Sequence, residues 1–545
     1  MTNLKDLSIH KIKEESQKLG LQAVILPDGD FFLNEYTAEE DNIRKHLTKF
    51  KGSVGQAFIC NGELHLIVDG RYRIAAKQQF EGDQLHIVDY TPQIQPRMIE
   101  ILQKANVHKV GVWSERTCAS AETLYAEHFE TSDVSHFFKS SFLNSEPDKL
   151  YQTDAISIQL AKNEIFFTHQ VDTIARVTGL RSDVFPYMSS LPGLLFVTTD
   201  SVHLLTTFPI QDKFKGITIH KVDHLLDLSC LEGIFGPELE NFVFDPNVTN
   251  QSTVNAVIDF CQRVKQYKVT PKANINSDYM SYKDNEEQDR FKDSFHKSSQ
   301  AIWKTLEWAR KNSEISEIDL KKKIIEEFRA SGAWRESFHP ICGFGANSAI
   351  IHYGQPSDKK KWDENEFLLL DCGAYYGPGV ATDTTRTLFN GTPNEKAILM
   401  YSLVLRGLIK AQMSVFDPGT LGSQIDMLAR EPLLQFGKNY AHGTGHGIGV
   451  HVHEAGYLLN PLSTVPLKEG QIGSIEPGYY EEGWGGIRLE NAAIVVKHPS
   501  YEGKLTFEPL TYLPFEEELI DRGLFTDKEL EYLDQYQEKS RSTLA

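Results

Sequence analysis

The stretch HGTGHGIGVHVHEAG, residues 442–456, sets four histidines within twelve positions and spaces the first two, His442 and His446, with glycine-rich sequence. Glycines at that density favour a loop over the regular helix on which a HExxH zinc protease mounts its ligands. One histidine here would read as a satisfied core residue, whereas several crowded together read as a site.

Carboxylates flank that stretch on both sides. DCGAYYGPGVATDTTRT (371–387) places Asp371 at the end of the apolar run 367–370 and Asp383 twelve residues later. An aspartate closing a buried strand needs a partner, because an unpaired carboxylate there costs several kcal/mol or neutralises itself. Taken alone, the two aspartates fit a structural ion pair with Arg386 as well as they fit a metal site. Downstream, SIEPGYY (474–480) supplies Glu476, and GIRLEN (486–491) supplies Arg488 and Glu490. Glu-Pro-Gly by itself is an everyday turn, but strand alternation puts Arg488 and Glu490 on one face, which is expensive to bury unless a cation neutralises it. Four carboxylates and an imidazole form a hard-ligand set with charge enough for two divalent ions. It suits Mn²⁺ or Co²⁺ better than a thiolate-rich zinc site does.

The four motifs, in this order, resemble the dinuclear metallopeptidases of the pita-bread fold, and among them the X-prolyl aminopeptidases (aminopeptidase P) of the long, three-domain cytosolic type. EYTAEEDNIRKHLTKFKGSVGQAF (35–58) and VDGRYRIAAKQQF (68–80) resemble that family's first domain, and LTFEPLTYLPFEEELID (505–521) its C-terminal segment, so nearly the whole chain is covered. The resemblance implies metal ligands Asp371, Asp383, His446, Glu476 and Glu490, with Asp383 and Glu490 bridging two divalent ions, Mn²⁺ foremost with Co²⁺ or Zn²⁺ as alternatives. It implies that His442 hydrogen-bonds near the substrate or shuttles a proton, that His352 and His453 contact the substrate carbonyl and proline side, and that Arg488 supports Glu490. Glu476 is then the general base and acid for attack of a metal-bridging hydroxide on an Xaa-Pro bond. Asp371 and Asp383 stand one residue further apart than is usual in the family, the extra residue falling in the Gly377-Pro378-Gly379 turn. Alternatives are a prolidase-like dipeptidase of the same fold and a non-catalytic binding protein that kept the fold and lost its metals.

The remaining sequence supports an α/β (α+β) reading with two similar α/β blocks in tandem, and the resemblance implies that these are two creatinase-like N-terminal α/β domains, 1–150 and 151–280, before a pita-bread catalytic domain, 281–545. The run 21–28 reads as a buried strand, 56–70 as two strands joined by Asn61-Gly62, and 108–115 as a further strand. The style repeats after the polar 145–154, with a hairpin about Thr199-Asp200-Ser201 and strands in 216–222 and 241–246. Phe291, Phe295, Ile302, Leu306 and Ala309 mark one face of a long amphipathic helix. Ser316 with Asp319, and Thr526 with Glu529, read as helix starts.

Composition bounds the partners. With 545 residues, 40% hydrophobic and 24% charged, the chain is ordinary globular material. Lys plus Arg total 56 against 75 Asp plus Glu, a net charge of −19, which argues against nucleic acid as partner. The charged start 1–20 lacks an apolar signal core, and runs such as LPGLLFV (191–197) are too short to span a bilayer. Six cysteines without CxxC pairing read as reduced thiols. The expectations are a cytoplasmic location, no membrane partner, peptides with N-terminal Xaa-Pro as substrates, and a homodimer.

Overall fold

The computed structural model describes residues 4–544 apart from 139–149, 154, 157, 209, 211–213, 265–266, 313 and 378. Most of the polar stretch 145–154 and Pro378 of the 377–379 turn therefore lie outside the described residues. The chain divides into two compact units, Met1–Tyr279 and Met280–Ala545.

The first unit holds two six-stranded sheets. One contains β1 (Ala23–Leu26), β2 (Gln56–Cys60), β3 (Glu63–Val68), β4 (Gln84–Ile87), β5 (Lys109–Val112) and β6 (Glu130–Asp133), in the order β4-β3-β2-β1-β5-β6. Asn61 and Gly62 turn β2 into β3 with φ of +49° and +86°, the left-handed pair that a two-residue hairpin demands. A short pair, β7 (Leu150–Gln152) and β9 (Leu180–Ser182), accompanies the second large sheet. That sheet contains β8 (Glu164–Thr168), β10 (Leu194–Val197), β11 (Val202–Thr206), β12 (Thr218–Lys221), β13 (Asn241–Phe244) and β14 (Lys268–Pro271), ordered β12-β11-β10-β8-β13-β14. Each sheet has the same succession of parallel and antiparallel neighbours. The correspondence extends to side chains: His65 on β3 pairs with His86 on β4 at 3.2 Å, and His203 on β11 pairs with His220 on β12 at 3.1 Å. The two halves also share one apolar core, in which Phe31, Phe32 and Ala119 pack with Phe167, Phe185 and Phe244.

The second unit opens with the helix Asn285–Arg310, whose Phe291, Phe295, Ile302, Leu306 and Ala309 are all buried as their spacing requires. The helix Glu317–Ala330 follows, capped reciprocally by Ser316 and Asp319; its Ile324 and Phe328 are buried and Ile325 half-buried. Short strands then build four sheets. β15 (Ala333–Glu336), β18 (Ala374–Tyr376) and β19 (Val380–Ala381) form one, while β16 (Ile341–Phe344), β17 (Phe367–Cys372) and β20 (Thr384–Phe389) form the next. A third joins β21 (Gly445–Gly447), β22 (Glu454–Leu459), β23 (Ile472–Ile475), β26 (Asn491–Lys497) and β27 (Leu505–Pro509), and β24 (Gly478–Glu481) pairs with β25 (Gly485–Arg488). Helices Glu395–Gln412 and Gly422–Leu434 pack Leu403, Val404, Leu408, Ile425 and Leu433 against the β23 and β26 side chains Ile475 and Val495. The terminal helix Asp527–Leu544 starts at the Thr526–Glu529 box and buries Leu533 and Tyr536 in the same core. Among the described residues no helix is long and apolar enough to cross a membrane.

Candidate metal centre

Strand ends converge on one point in the second unit. Asp371 lies within β17, one residue before its end, and pairs in register with Thr385 of β20; Asp383 immediately precedes β20. The β18–β19 hairpin lies between them, with Gly377 and Gly379 at φ of +52° and +78°. His446 sits on β21, Glu476 just beyond β23, and Glu490 between β25 and β26. Asp383, His446 and Glu490 each offer a ligand atom, all within 4.8 Å of one another. His446 Nε2 lies 3.5 Å from Asp383 Oδ2 and 3.3 Å from Glu476 Oε1. The absence of a Cβ at Gly445 permits this approach, since one would stand 1.9 Å from the Ser474 carbonyl oxygen.

The donors suit a hard cation. His446 Nδ1 faces the Gly447 carbonyl at 3.2 Å, so it carries the proton and leaves the Nε2 lone pair toward the carboxylates. Asp371 Oδ1 and Glu490 Oε1 are buried oxygens that no donor among the described residues reaches. Buried carboxylate oxygens left bare in this way are matched to cation ligation, because they are otherwise costly. Burial, reinforced by Glu490, Asp371 and Glu476, holds the Asp383 carboxyl well above its usual range. Burial and repulsion from Glu476 and Asp371 do the same to Glu490. Glu476 is pushed up to about 7 by burial, with Arg488 opposing and Asp371 adding to the rise.

Arg488 serves two carboxylates. It donates Nη2 to Asp371 Oδ2 at 2.6 Å and reaches Glu490 through Thr385, whose hydroxyl accepts from Arg488 Nε at 3.1 Å and donates to Glu490 at 2.7 Å. Strand alternation does not carry from Arg488 to Glu490, because β25 ends at Arg488 and Glu490 lies between β25 and β26. Arg386, the other candidate partner for the aspartates, instead bonds the Glu490 and Leu513 carbonyls, Asn491 and Tyr536.

The histidines divide by place. The His453 ring stands edge-on to His446 at 4.4 Å, and His451 lies 6.0 Å beyond. His442 gives Nδ1–H to the Gly443 carbonyl at 2.7 Å, so its Nε2 accepts from the Tyr480 hydroxyl at 2.9 Å; that oxygen in turn accepts from Arg488 at 2.8 Å. A hydrogen-bonded line thus runs from His442 through Tyr480 and Arg488 to Asp371. His352 is half-buried, three residues past the turn Gly345–Ala349, which is fastened beside β25 by the Gly486 amide bonded to Ser348 Oγ at 2.7 Å.

Sequence reading missed the groups behind these side chains. Asp426 and Arg430, one turn apart on the buried face of the helix Gly422–Leu434, clamp the glycine-rich loop: Arg430 donates to the Tyr440 and His442 carbonyls at 2.8 and 2.5 Å, and Asp426 accepts from Thr444 at 2.6 Å. An aspartate and an arginine four apart inside an apolar helical stripe were the available signal.

Comparison with known proteins agrees with this architecture. Residues 289–497 match metallopeptidase family M24, and residues 503–545 match the C-terminal region of that family. Xaa-Pro aminopeptidase 2 of Sus scrofa is 30% identical over 587 aligned positions, covering 97% of this chain and 84% of that protein. The chain belongs to metallopeptidase family M24, among its Xaa-Pro aminopeptidases. The solved X-prolyl aminopeptidase of Caenorhabditis elegans, described as a cytosolic enzyme with a di-nuclear active site, superposes with a TM-score of 0.83 at 23% identity over 96% of this chain and 92% of that one. The prolidase of Pyrococcus furiosus superposes with a TM-score of 0.51 at 23% identity and covers 64% of this chain and 96% of its own. The α/β fold with N-terminal domains before a pita-bread unit is therefore that of this M24 member.

Proposed function

We propose that this M24 member is a metal-dependent Xaa-Pro aminopeptidase, releasing the N-terminal residue of peptides whose second residue is proline. The observation that carries the site reading is the convergence of Asp383, His446 and Glu490 within 4.8 Å beside bare buried oxygens on Asp371 and Glu490. Asp371, Asp383, His446, Glu476 and Glu490 would hold two divalent cations, with Mn²⁺ preferred for an oxygen-rich set and Co²⁺ or Zn²⁺ as alternatives. When bound, such ions supply Lewis-acid polarisation of the first carbonyl and acidify the attacking water.

The chain's own groups do the rest. Glu476 accepts the water's proton and returns it to the proline nitrogen as that nitrogen leaves. His453, against His446, and His352 donate to the oxyanion and to the proline side of the peptide. His442 holds or moves a proton at Nε2 through Tyr480. Arg488 fixes Asp371, leaving one carboxylate oxygen for a cation. Proline in second place lacks an N–H, so a pocket shaped for the ring need not supply an acceptor.

The three-domain division 1–150, 151–280 and 281–545 is supported by the repeated sheet topology of the first unit. Exposed Met427, Leu434 and Phe436, on or just beyond the helix Gly422–Leu434, support a homodimer formed through the second unit. Six free cysteines favour a reducing, cytoplasmic setting, and the acidity favours peptides over nucleic acid. Hydrolysis of an Xaa-Pro-Yaa tripeptide, its Xaa-Ala-Yaa counterpart and the Xaa-Pro dipeptide tests the proposal, with metal-stripped protein and with Mn²⁺ restored. Metal-restored cleavage of the first peptide alone is expected; preference for the dipeptide would assign a prolidase, and no cleavage at any loading would return the chain to a binding role.

A further inference from the structure

A buried ion pair that the mechanism does not use lies directly behind the histidine arm. Lys283 and Glu454 have side chains only 1% exposed, and the lysine ammonium contacts Glu454 Oε2 and the Met280 carbonyl. Each end is tied in separately. Lys283 donates its backbone amide to Gly470 at 2.9 Å while Tyr282 bridges Gln471, which stitches its segment to the turn before β23. Gln288, in the first turns of the long helix, holds the Lys283 carbonyl at 2.8 Å. Glu454 Oε1 accepts from the Val450 amide at 3.1 Å, closing the turn that contains His451 and His453. The carboxylate fits because position 449 is glycine, where a Cβ would lie 1.9 Å from Glu454 Oε1. The same turn is tied by Gly449 N–H to the His451 carbonyl and by Ala381 N–H to the Gly449 carbonyl, each at 3.0 Å.

Buried ion pairs give little net stability, and apolar replacements of similar volume are often neutral or better. A requirement for stability alone therefore does not explain this one. What it does is fix the 449–454 turn from outside, and that turn presents His453 edge-on to His446. We propose that the Lys283–Glu454 pair is a positioning device that sets the His453 ring against the metal-binding histidine for catalysis. The inference rests on the Xaa-Pro aminopeptidase reading.

The test is the double variant Lys283→Met with Glu454→Gln in the full chain, which keeps both shapes and an acceptor for Val450 while removing both charges. Steady-state hydrolysis of an Xaa-Pro-Yaa peptide, bound Mn²⁺ per chain and hydrogen exchange of 448–455 are measured beside wild type. The expected result is wild-type metal content, KM within about twofold, kcat lower by about tenfold or more, and faster exchange confined to 448–455. Unchanged kcat, unchanged exchange, or loss of metal would each overturn the positioning role. If the double variant does not fold, Glu454→Asp, which keeps the charge and shortens the reach, is read by the same criteria. A wild-type protein that cleaves no peptide would refute the function and not the anchoring, because unchanged exchange in the variant would still overturn the latter.

Discussion

Glu476 is the residue whose environment and assigned task coincide most directly. Before a cation binds, burial outweighs the pull of Arg488 and raises the Glu476 carboxyl to about 7, and its Oε1 stands 3.3 Å from His446 Nε2. Glu476→Gln should lower kcat by about 10³-fold, within the range for a lost general base, while circular dichroism and thermal midpoint stay near wild type. Turnover within tenfold of wild type would remove Glu476 from the proton transfer. Arg488 carries a different lesson: its identity was visible in GIRLEN, but its partner was set by strand β17, more than a hundred residues earlier.

Elements hold the site through their ends. The helix Glu317–Ala330 shows how one residue can serve two purposes. Glu317 is the first residue of the helix and fully buried, and its carboxylate accepts from the Phe344 amide, the Asn347 amide group, the Tyr353 hydroxyl and the Ser357 amide at 2.8–2.9 Å. The loop it gathers contains His352. Glu317→Gln would turn an amide N–H₂ toward donors, so unfolding stability should fall by about 3 kcal/mol, read as a lower urea midpoint at constant m. A midpoint equal to wild type would mean that the loop holds itself.

At the scale of the whole chain, the two units should respond to different agents. Burial lowers the pKa of His65, His86, His203 and His220 in the first unit, and that of the fully buried His169 to about 3. His169 Nε2 accepts the Asn250 amide at 2.7 Å, a bond that protonation would break. The unfolded chain binds protons at these sites below about pH 6.5 while the folded chain resists them, so stability is full above that pH and declines below it. For His169 alone the slope is about 1.4 kcal/mol per pH unit down to its folded value. Hydrogen exchange between pH 7.5 and 5 should show protection of β8, β10 and β13 falling, with a shallower decline in His169→Gln; equal protection across that range would contradict the sign. The second unit should answer to metal instead. Mn²⁺ at a hundredfold excess over its Kd adds about 2.7 kcal/mol to a folded state that alone binds it. A rise in thermal midpoint on titrating Mn²⁺, absent in Asp383→Asn, is the expected outcome, and an identical rise in that variant would place the ion elsewhere.

Local chemistry made much of this legible in advance. Asn61-Gly62 specified its hairpin because both residues tolerate positive φ, the Phe291-to-Ala309 stripe specified its helix because side-chain spacing reports the buried face, and Ser316 and Thr526 announced helix starts through their own hydrogen bonds. Motif order likewise proposed Asp371, Asp383, His446, Glu476 and Glu490 as ligands, since hard-ligand residue types are visible one at a time, and Asp383, His446 and Glu490 come within 4.8 Å of one another. The tertiary structure alone decided which groups hold them. Arg488 went to Asp371, Thr385 to Glu490, Arg430 to the loop of His442, and Lys283 to Glu454 across 171 residues of chain. Those choices depend on which buried charge finds a complementary neighbour once strands from distant segments are brought together, and sequence spacing carries no record of that distance.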